Sequence, residues 1–101
     1  MTQEEARRIL AESRETIDNI DRRLVELLNE RARAVEAIGQ AKECAGLPVL
    51  QLKREYDVYH NVLASNSGPL TPDTLRRIFS RLIDEMRYLQ KVRQKPAAGE
   101  R

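Results

Sequence analysis

The stretch that decides the fold is IDNIDRRLVELLNERARAVEAIGQAK, residues 17–42. Its apolar residues recur at helical spacings, at Ile17, Ile20, Leu24, Leu27, Leu28, Val35 and Ile38. Apolar residues three or four positions apart fall on one face of an α-helix, whereas a half-buried strand would alternate. No proline interrupts the stretch, and Gly39 is its only glycine. The pattern therefore predicts one uninterrupted helix.

The predicted first helix extends beyond this stretch in both directions, over about residues 3–43. Thr2 is followed three residues later by Glu5, which is a capping-box pattern for a helix start. Gly46 and Pro48 then interrupt the helical pattern. At 1.5 Å per residue, such a helix would be about 60 Å long.

Two shorter helices are predicted after this break. The second covers about residues 51–64, and its expected inner face is Leu52, Tyr56, Tyr59 and Leu63. The third covers about residues 72–94, with Thr71 as its N-cap and Pro72 at its first position. Its expected inner face is Leu75, Ile78, Phe79, Leu82, Ile83, Met86 and Leu89. We expect residues 1–95 to form one helical domain and residues 96–101 a flexible tail.

The unequal helix lengths predict association between two copies of the chain. A helix of about 60 Å cannot be covered by partners of about 20 Å and 35 Å. An uncovered apolar stripe on a small protein usually marks an association surface. The predicted fold is therefore all-α, with a long, a short and a medium helix in each chain of an intertwined homodimer.

Composition excludes several classes of protein. With 101 residues and a formal net charge of +2, the chain is one small domain whose charges are interspersed, which argues against a nucleic-acid partner. Cys44 is the only cysteine, so an internal disulfide cannot form. No apolar run approaches the roughly 20 residues that cross a membrane. We expect a cytoplasmic protein.

Polar side chains interrupt the predicted inner faces of the helices. Those on or beside these faces are Arg14, Arg31, Lys42, Arg54, Glu55 and Gln90. Any one cation could extend from the edge of an apolar stripe to water. Four cations and a glutamine together would be costly to bury unless an anion neutralises the charges.

These residue types predict a site for a small dianion. Arginine binds carboxylates in a bidentate manner, lysine is a compact charged donor, and glutamine donates without ionising. His60, the single histidine, has no plausible nucleophile or metal partner in the sequence. We also find no acid–base pair, glycine-rich phosphate loop or group of metal ligands. The predicted site orients its ligand without a cofactor, a metal or covalent chemistry.

The spacing of these residues resembles that of the all-helical chorismate mutases. The carrying pattern is Arg14–x16–Arg31–x10–Lys42–x11–Arg54–Glu55, with Gln90 near the end of the last helix. Residues 20–42 contain ID..L..LL..R......IG..K, and GPLTPDTLRRIFSRLIDEMRYLQ at residues 68–90 adds support. The resemblance covers about residues 7–93. It implies an intertwined homodimer that rearranges chorismate to prephenate in phenylalanine and tyrosine biosynthesis, with no cofactor.

The resemblance also implies a role for each charged residue. Arg31 and Arg54 would hold the substrate carboxylates, and Arg14 would reach in from the second chain of the dimer. Lys42 and Gln90 would donate to the ether oxygen as it gains negative charge.

Three further positions complete the implied site. Glu55 would accept a hydrogen bond from the ring hydroxyl of the substrate. Gln51 stands where the family often has an acidic residue, and Met86 where a small or hydroxyl-bearing residue is frequent. Both would line the substrate site, although their contributions differ from the usual pattern.

Two other functions remain open at this point. An isochorismate-pyruvate lyase shares the fold and could use the same cations. A non-catalytic helical dimer, acting as an adaptor or regulatory domain, belongs to a different class. Family members are often fused to or partnered with other enzymes of aromatic biosynthesis, so such an association is possible here too.

Overall fold

The computed structural model describes residues 1–99, together with the side chains of residues 1–92. The described backbone contains three helices and no strand, and they are α1 (Gln3–Ala45), α2 (Leu52–Ala64) and α3 (Pro72–Gly99). This confirms the all-α prediction and the order of a long, a short and a medium helix. None of the described helices combines the length and apolar character that crossing a bilayer requires.

The start of α1 follows the predicted capping box. The backbone N–H of Glu5 donates to Thr2 Oγ1 at 3.0 Å, and the Thr2 N–H donates to Glu5 Oε2 at 3.4 Å. Each side chain thus satisfies a backbone donor that the helix itself leaves without an acceptor. The capping-box prediction is confirmed.

The end of α1 is set by Gly46. Its φ of 72° lies in the left-handed region, which glycine adopts without steric penalty. The Gly46 N–H donates to the Glu43 carbonyl at 3.2 Å, and the Leu47 N–H donates to the Lys42 carbonyl at 2.8 Å. These two bonds form a Schellman motif, which satisfies the last carbonyls of the helix.

Helix α3 also begins as predicted but ends later. Thr71 Oγ1 accepts from the Thr74 N–H at 3.1 Å, and Pro72 is the first helical residue. The helix continues to Gly99 rather than ending near residue 94. The domain boundary at residue 95 and the flexible tail stay predictions, and the last two residues of the tail lie outside the described residues.

The chain divides into two compact units, residues 1–33 and residues 34–101. The first unit is formed by the N-terminal part of α1. Four of its apolar residues, Ile17, Ile20, Leu24 and Leu27, are about half exposed, at 49–57%. This part of the predicted apolar stripe is therefore uncovered within the first unit, whereas Leu28 is half-buried.

The second unit contains the end of α1 and the packed pair α2 and α3. Ile83 is the buried hydrophobic residue among the described side chains, at 8% exposed. The predicted inner face of α3 is confirmed at Leu75, Phe79, Leu82, Met86 and Leu89, which are half-buried. Ile78 is the exception, because it is 50% exposed.

The predicted inner face of α2 is partly wrong. Tyr59 and Leu63 are half-buried, but Leu52 and Tyr56 are 72% and 70% exposed. The rotation of α2 explains the difference, because Glu55 lies on its half-buried side and pairs with α3. With Glu55 on the side that faces α3, Leu52 and Tyr56 lie toward the outside.

Candidate functional site

The side-chain amide of Gln90 is buried between α1 and α3. Gln90 is 6% exposed, and its Nε2 donates to the backbone carbonyl of Val35 at 3.2 Å. Its Oε1 accepts from Lys42 Nζ at 3.5 Å. Because a buried amide is costly without hydrogen-bond partners, these contacts fix both ends of the group. One N–H of the Nε2 group remains for another acceptor.

Gly39 explains how Gln90 comes so close to α1. Gly39 is buried, and a Cβ at this position would lie 3.3 Å from Gln90 Cγ. Any other residue would therefore press against the glutamine side chain. This glycine, which lies inside the C-terminal part of α1, is needed for close approach rather than for a bend, since the helix continues to Ala45.

Lys42 joins the end of α1 to two other segments. Its ammonium group donates to the Val49 carbonyl at 2.7 Å, in the connection to α2, and lies 3.5 Å from Gln90 Oε1. The side chain is half-buried. An ammonium has three N–H donors, and these two contacts use two of them. Lys42 and Gln90 thus present donors at one place in the second unit.

Glu55 on α2 forms an ion pair with Arg87 on α3. Arg87 Nη2 donates to Glu55 Oε2, and both side chains are 24% exposed. Arg87 Nη1 also donates to Asp84 Oδ1 at 3.2 Å. The hydrogen bond to Glu55 is the main factor that raises the pKa of Arg87, while burial opposes it. The guanidinium therefore stays charged beside Glu55.

The sequence prediction missed Arg87. The residue lies three positions before Gln90, so the two side chains share one side of α3. Stepping backward from Gln90 by three would have found it, but the same step by four reaches Met86, which fits the apolar pattern. Arg87 Nε is also buried and has no hydrogen-bond partner among the described residues.

Three other predicted site residues lie around this ion pair in the chain. Gln51 is the half-buried N-cap residue of α2 and makes no side-chain capping bond. Met86 is half-buried and precedes Arg87 directly. Arg54 is exposed and has no ion pair with another described residue.

The remaining two predicted residues, Arg14 and Arg31, belong to the first unit. Arg14 is exposed on α1, whereas Arg31 is half-buried and interacts with other groups. The second unit therefore brings together Lys42 and Gln90, and it holds Glu55 against a residue that the sequence pattern did not reveal.

The chemistry of the second unit favours binding over proton transfer. Uncharged and cationic donors in a part-buried setting stabilise negative charge on an oxygen more strongly than they would in water. His60 is exposed and stacks with Tyr56 at a ring-centroid distance of 6.4 Å. Across the described part of the chain, no group of three or more His, Cys, Asp or Glu side chains could hold a metal ion.

Two bifunctional enzymes are similar to this chain in sequence. The bifunctional chorismate mutase/prephenate dehydratase of Aquifex aeolicus is 34% identical over 86 residues, which cover 81% of this chain and 24% of the relative. The protein of the same name from Neisseria gonorrhoeae is 35% identical over 77 residues, covering 76% and 21%. The chain thus spans about a quarter of the length of the curated relatives it matches.

Solved structures of similar length resemble it over most of the chain. Chorismate mutase of Thermus thermophilus (form II) superimposes with a TM-score of 0.79 at 33% identity, covering 83% of this chain and 94% of that one. Form I gives a TM-score of 0.73 at 34% identity, covering 78% and 98%. Residues 13–91 match the chorismate mutase type II family. The chain belongs to that family.

Proposed function

We propose that this chain catalyses the rearrangement of chorismate to prephenate in aromatic amino acid biosynthesis. The observation that supports it most is the meeting of Lys42 Nζ and the buried amide of Gln90, 3.5 Å apart, in a member of the chorismate mutase type II family. The two groups would be the donors to the ether oxygen of the substrate.

The reaction is an intramolecular isomerisation. The C–O bond of the ether breaks as a new C–C bond forms, so no atom is gained or lost. Negative charge develops on the ether oxygen in the transition state. The third N–H of Lys42 and the second N–H of the Gln90 amide would stabilise that charge, which lowers the barrier without proton transfer. Neither a cofactor nor a metal has a part in these steps.

The carboxylates of the substrate need separate cationic partners. Arg31 and Arg54 would pair with them, and holding both groups would favour the compact conformation in which the reacting carbons meet. Arg14 would come from the second chain of a homodimer. The half-exposed apolar residues of the first unit support such a dimer, because a partner chain would remove them from water.

Glu55 would accept a hydrogen bond from the ring hydroxyl, and Gln51 and Met86 would complete the wall of the site.

The two bifunctional relatives carry prephenate dehydratase in their names. By analogy, this chain could act together with another enzyme of aromatic biosynthesis. Such an association would consume the prephenate where it is formed.

In the decisive experiment, purified protein is assayed in parallel with chorismate and with isochorismate. We expect loss of chorismate absorbance with prephenate as the product by chromatography, and no release of pyruvate from isochorismate. Pyruvate release without prephenate would instead assign a lyase. Absence of both products at micromolar enzyme would favour a non-catalytic helical dimer. Arg31→Ala tests the carboxylate contact, and an unchanged kcat/KM in this variant would remove Arg31 from the site.

A further inference from the structure

We infer that Arg87 is a positioning residue that fixes the Glu55 carboxylate and neutralises its charge for an anionic substrate. This inference rests on the proposed function, in which Glu55 accepts a hydrogen bond from the substrate hydroxyl. Arg87 itself need not touch the substrate.

The contacts of Arg87 fit this role. One of its terminal nitrogens donates to Glu55 across the α2–α3 interface, and the other donates to Asp84 at 3.2 Å on its own helix. Asp84 therefore anchors the guanidinium while the guanidinium anchors Glu55. Both members of the interhelical pair are 24% exposed, so solvent screens their interaction only partly.

The pair also solves an electrostatic problem of the proposed site. A dicarboxylate substrate would be repelled by an unpaired glutamate nearby, since like charges at short range disfavour binding. When Arg87 pairs with Glu55, the charges of these two groups cancel, and the second oxygen of the carboxylate can still accept a hydrogen bond. Asp84, the second carboxylate on Arg87, is 60% exposed, so water screens its charge more than that of Glu55. Glu55 can then accept a hydrogen bond from the substrate hydroxyl without repelling the substrate carboxylates.

The position of Arg87 links this pair to the other donors. Arg87 and Gln90 lie three residues apart on α3, which places them on one side of the helix. Gln90 contacts α1 and Arg87 contacts α2. One face of α3 therefore sets the positions of groups on both neighbouring helices.

The test is a double-mutant cycle between Arg87→Met and Glu55→Gln, read as separate kcat and KM values for chorismate. In Arg87→Met we expect KM to rise about tenfold with kcat within about twofold, because the lost interaction acts on binding of the ground state as well as the transition state. In the Glu55→Gln background, the same change should raise KM less than about twofold, since no charge remains to be neutralised. Arg87→Lys keeps the charge and should recover most of the affinity.

The matched control is Arg81→Met. Arg81 lies on the same helix and pairs with Glu85 at 2.9 Å, but its side chain is 79% exposed. We expect wild-type kinetics from this variant. The inference is overturned if KM is unchanged in Arg87→Met, or if the effect is equally large in the Glu55→Gln background. If Arg87→Met does not fold, the test uses Arg87→Lys. A KM equal to that of the wild type in this variant supports the inference. A variant in which kcat falls and KM is unchanged overturns it. Inactive wild-type protein would overturn the proposed function instead.

Discussion

Lys42 Nζ and Gln90 Oε1 lie 3.5 Å apart, although 48 positions separate the two residues in the sequence. The contact joins the last turn of α1 to α3 through polar atoms, at a place where the helical pattern alone would favour apolar packing. Gly39, one turn before Lys42, makes room for the glutamine. A charged donor and a neutral donor are thereby held side by side.

Replacing Gln90 by alanine tests the neutral donor. We expect kcat/KM for chorismate to fall at least about 30-fold, or about 2 kcal/mol, because a hydrogen bond to developing charge is lost. Steady-state kinetics on folded protein checks this. Gln40→Ala is the control, since Gln40 is exposed on α1 and should leave the kinetics unchanged. A Gln90→Ala variant with wild-type kcat/KM would contradict the assignment.

Replacing Lys42 by methionine tests the charged donor. The change keeps most of the apolar side chain and removes the ammonium group that contacts Val49 and Gln90. We expect a loss in kcat/KM of at least about 100-fold, because charged donors stabilise an oxyanion more than neutral ones do. Lys53→Met, at an exposed position of α2, provides the matched comparison. Equal kinetics in both variants would exclude Lys42 from the chemistry.

Gly39→Ala should separate activity from stability. The new Cβ would lie 3.3 Å from Gln90 Cγ and would displace the amide. We expect kcat/KM to fall about tenfold, while the free energy of unfolding changes by less than about 1 kcal/mol, because the better helix propensity of alanine offsets the crowding. Urea denaturation and kinetics on one preparation measure both. Gly68→Ala, where nothing lies within 4 Å of the new Cβ, should change neither.

The exposed apolar stripe of the first unit predicts a dimer in solution. Sedimentation at micromolar concentration should give twice the mass of the chain. Leu24→Asp should shift the equilibrium toward monomer, since it places a charge among apolar groups that the partner would cover. Asn19→Asp adds the same charge at an exposed polar position of the same helix and should leave the mass unchanged. A monomeric wild-type protein would refute the dimer.

Gly46→Ala tests the end of α1. With φ at 72°, alanine at this position should lower the free energy of unfolding by about 1–2 kcal/mol. Chemical denaturation at a fixed protein concentration measures the loss, because the stability of a dimer depends on concentration. An effect no larger than that of Gly68→Ala would show that the Schellman motif contributes little to stability.

Local signals in the sequence predicted most of the helical structure. The signals at the helix ends involve residues close together in the sequence, so they do not depend on distant packing. They are Thr2 with Glu5, Gly46, and Thr71 with Pro72. The same holds for the apolar spacing of residues 17–42. These features could be predicted because short-range hydrogen bonds and backbone geometry decide them.

The candidate site could be predicted only in part. Lys42 and Gln90 stood out because polar residues on an apolar face need an explanation, and the structure brings them together. Arg87 did not stand out, because a charged residue on a helix is usually exposed. Leu52 and Tyr56 were assigned to the inner face of α2 although they are exposed. A short helix has several apolar residues on different sides, and its own periodicity does not fix its rotation.

The sequence by itself determined the three helices, their starts, the end of α1 and the polar residues that interrupt their apolar faces, since these follow from spacing and local backbone chemistry. Only the tertiary structure decided which polar residues meet across helices. The Glu55–Arg87 ion pair joins residues 32 positions apart, and the approach of Gln90 to Gly39 joins segments still further apart in the sequence. Such contacts depend on the rotation and separation of packed helices, which no local interaction sets.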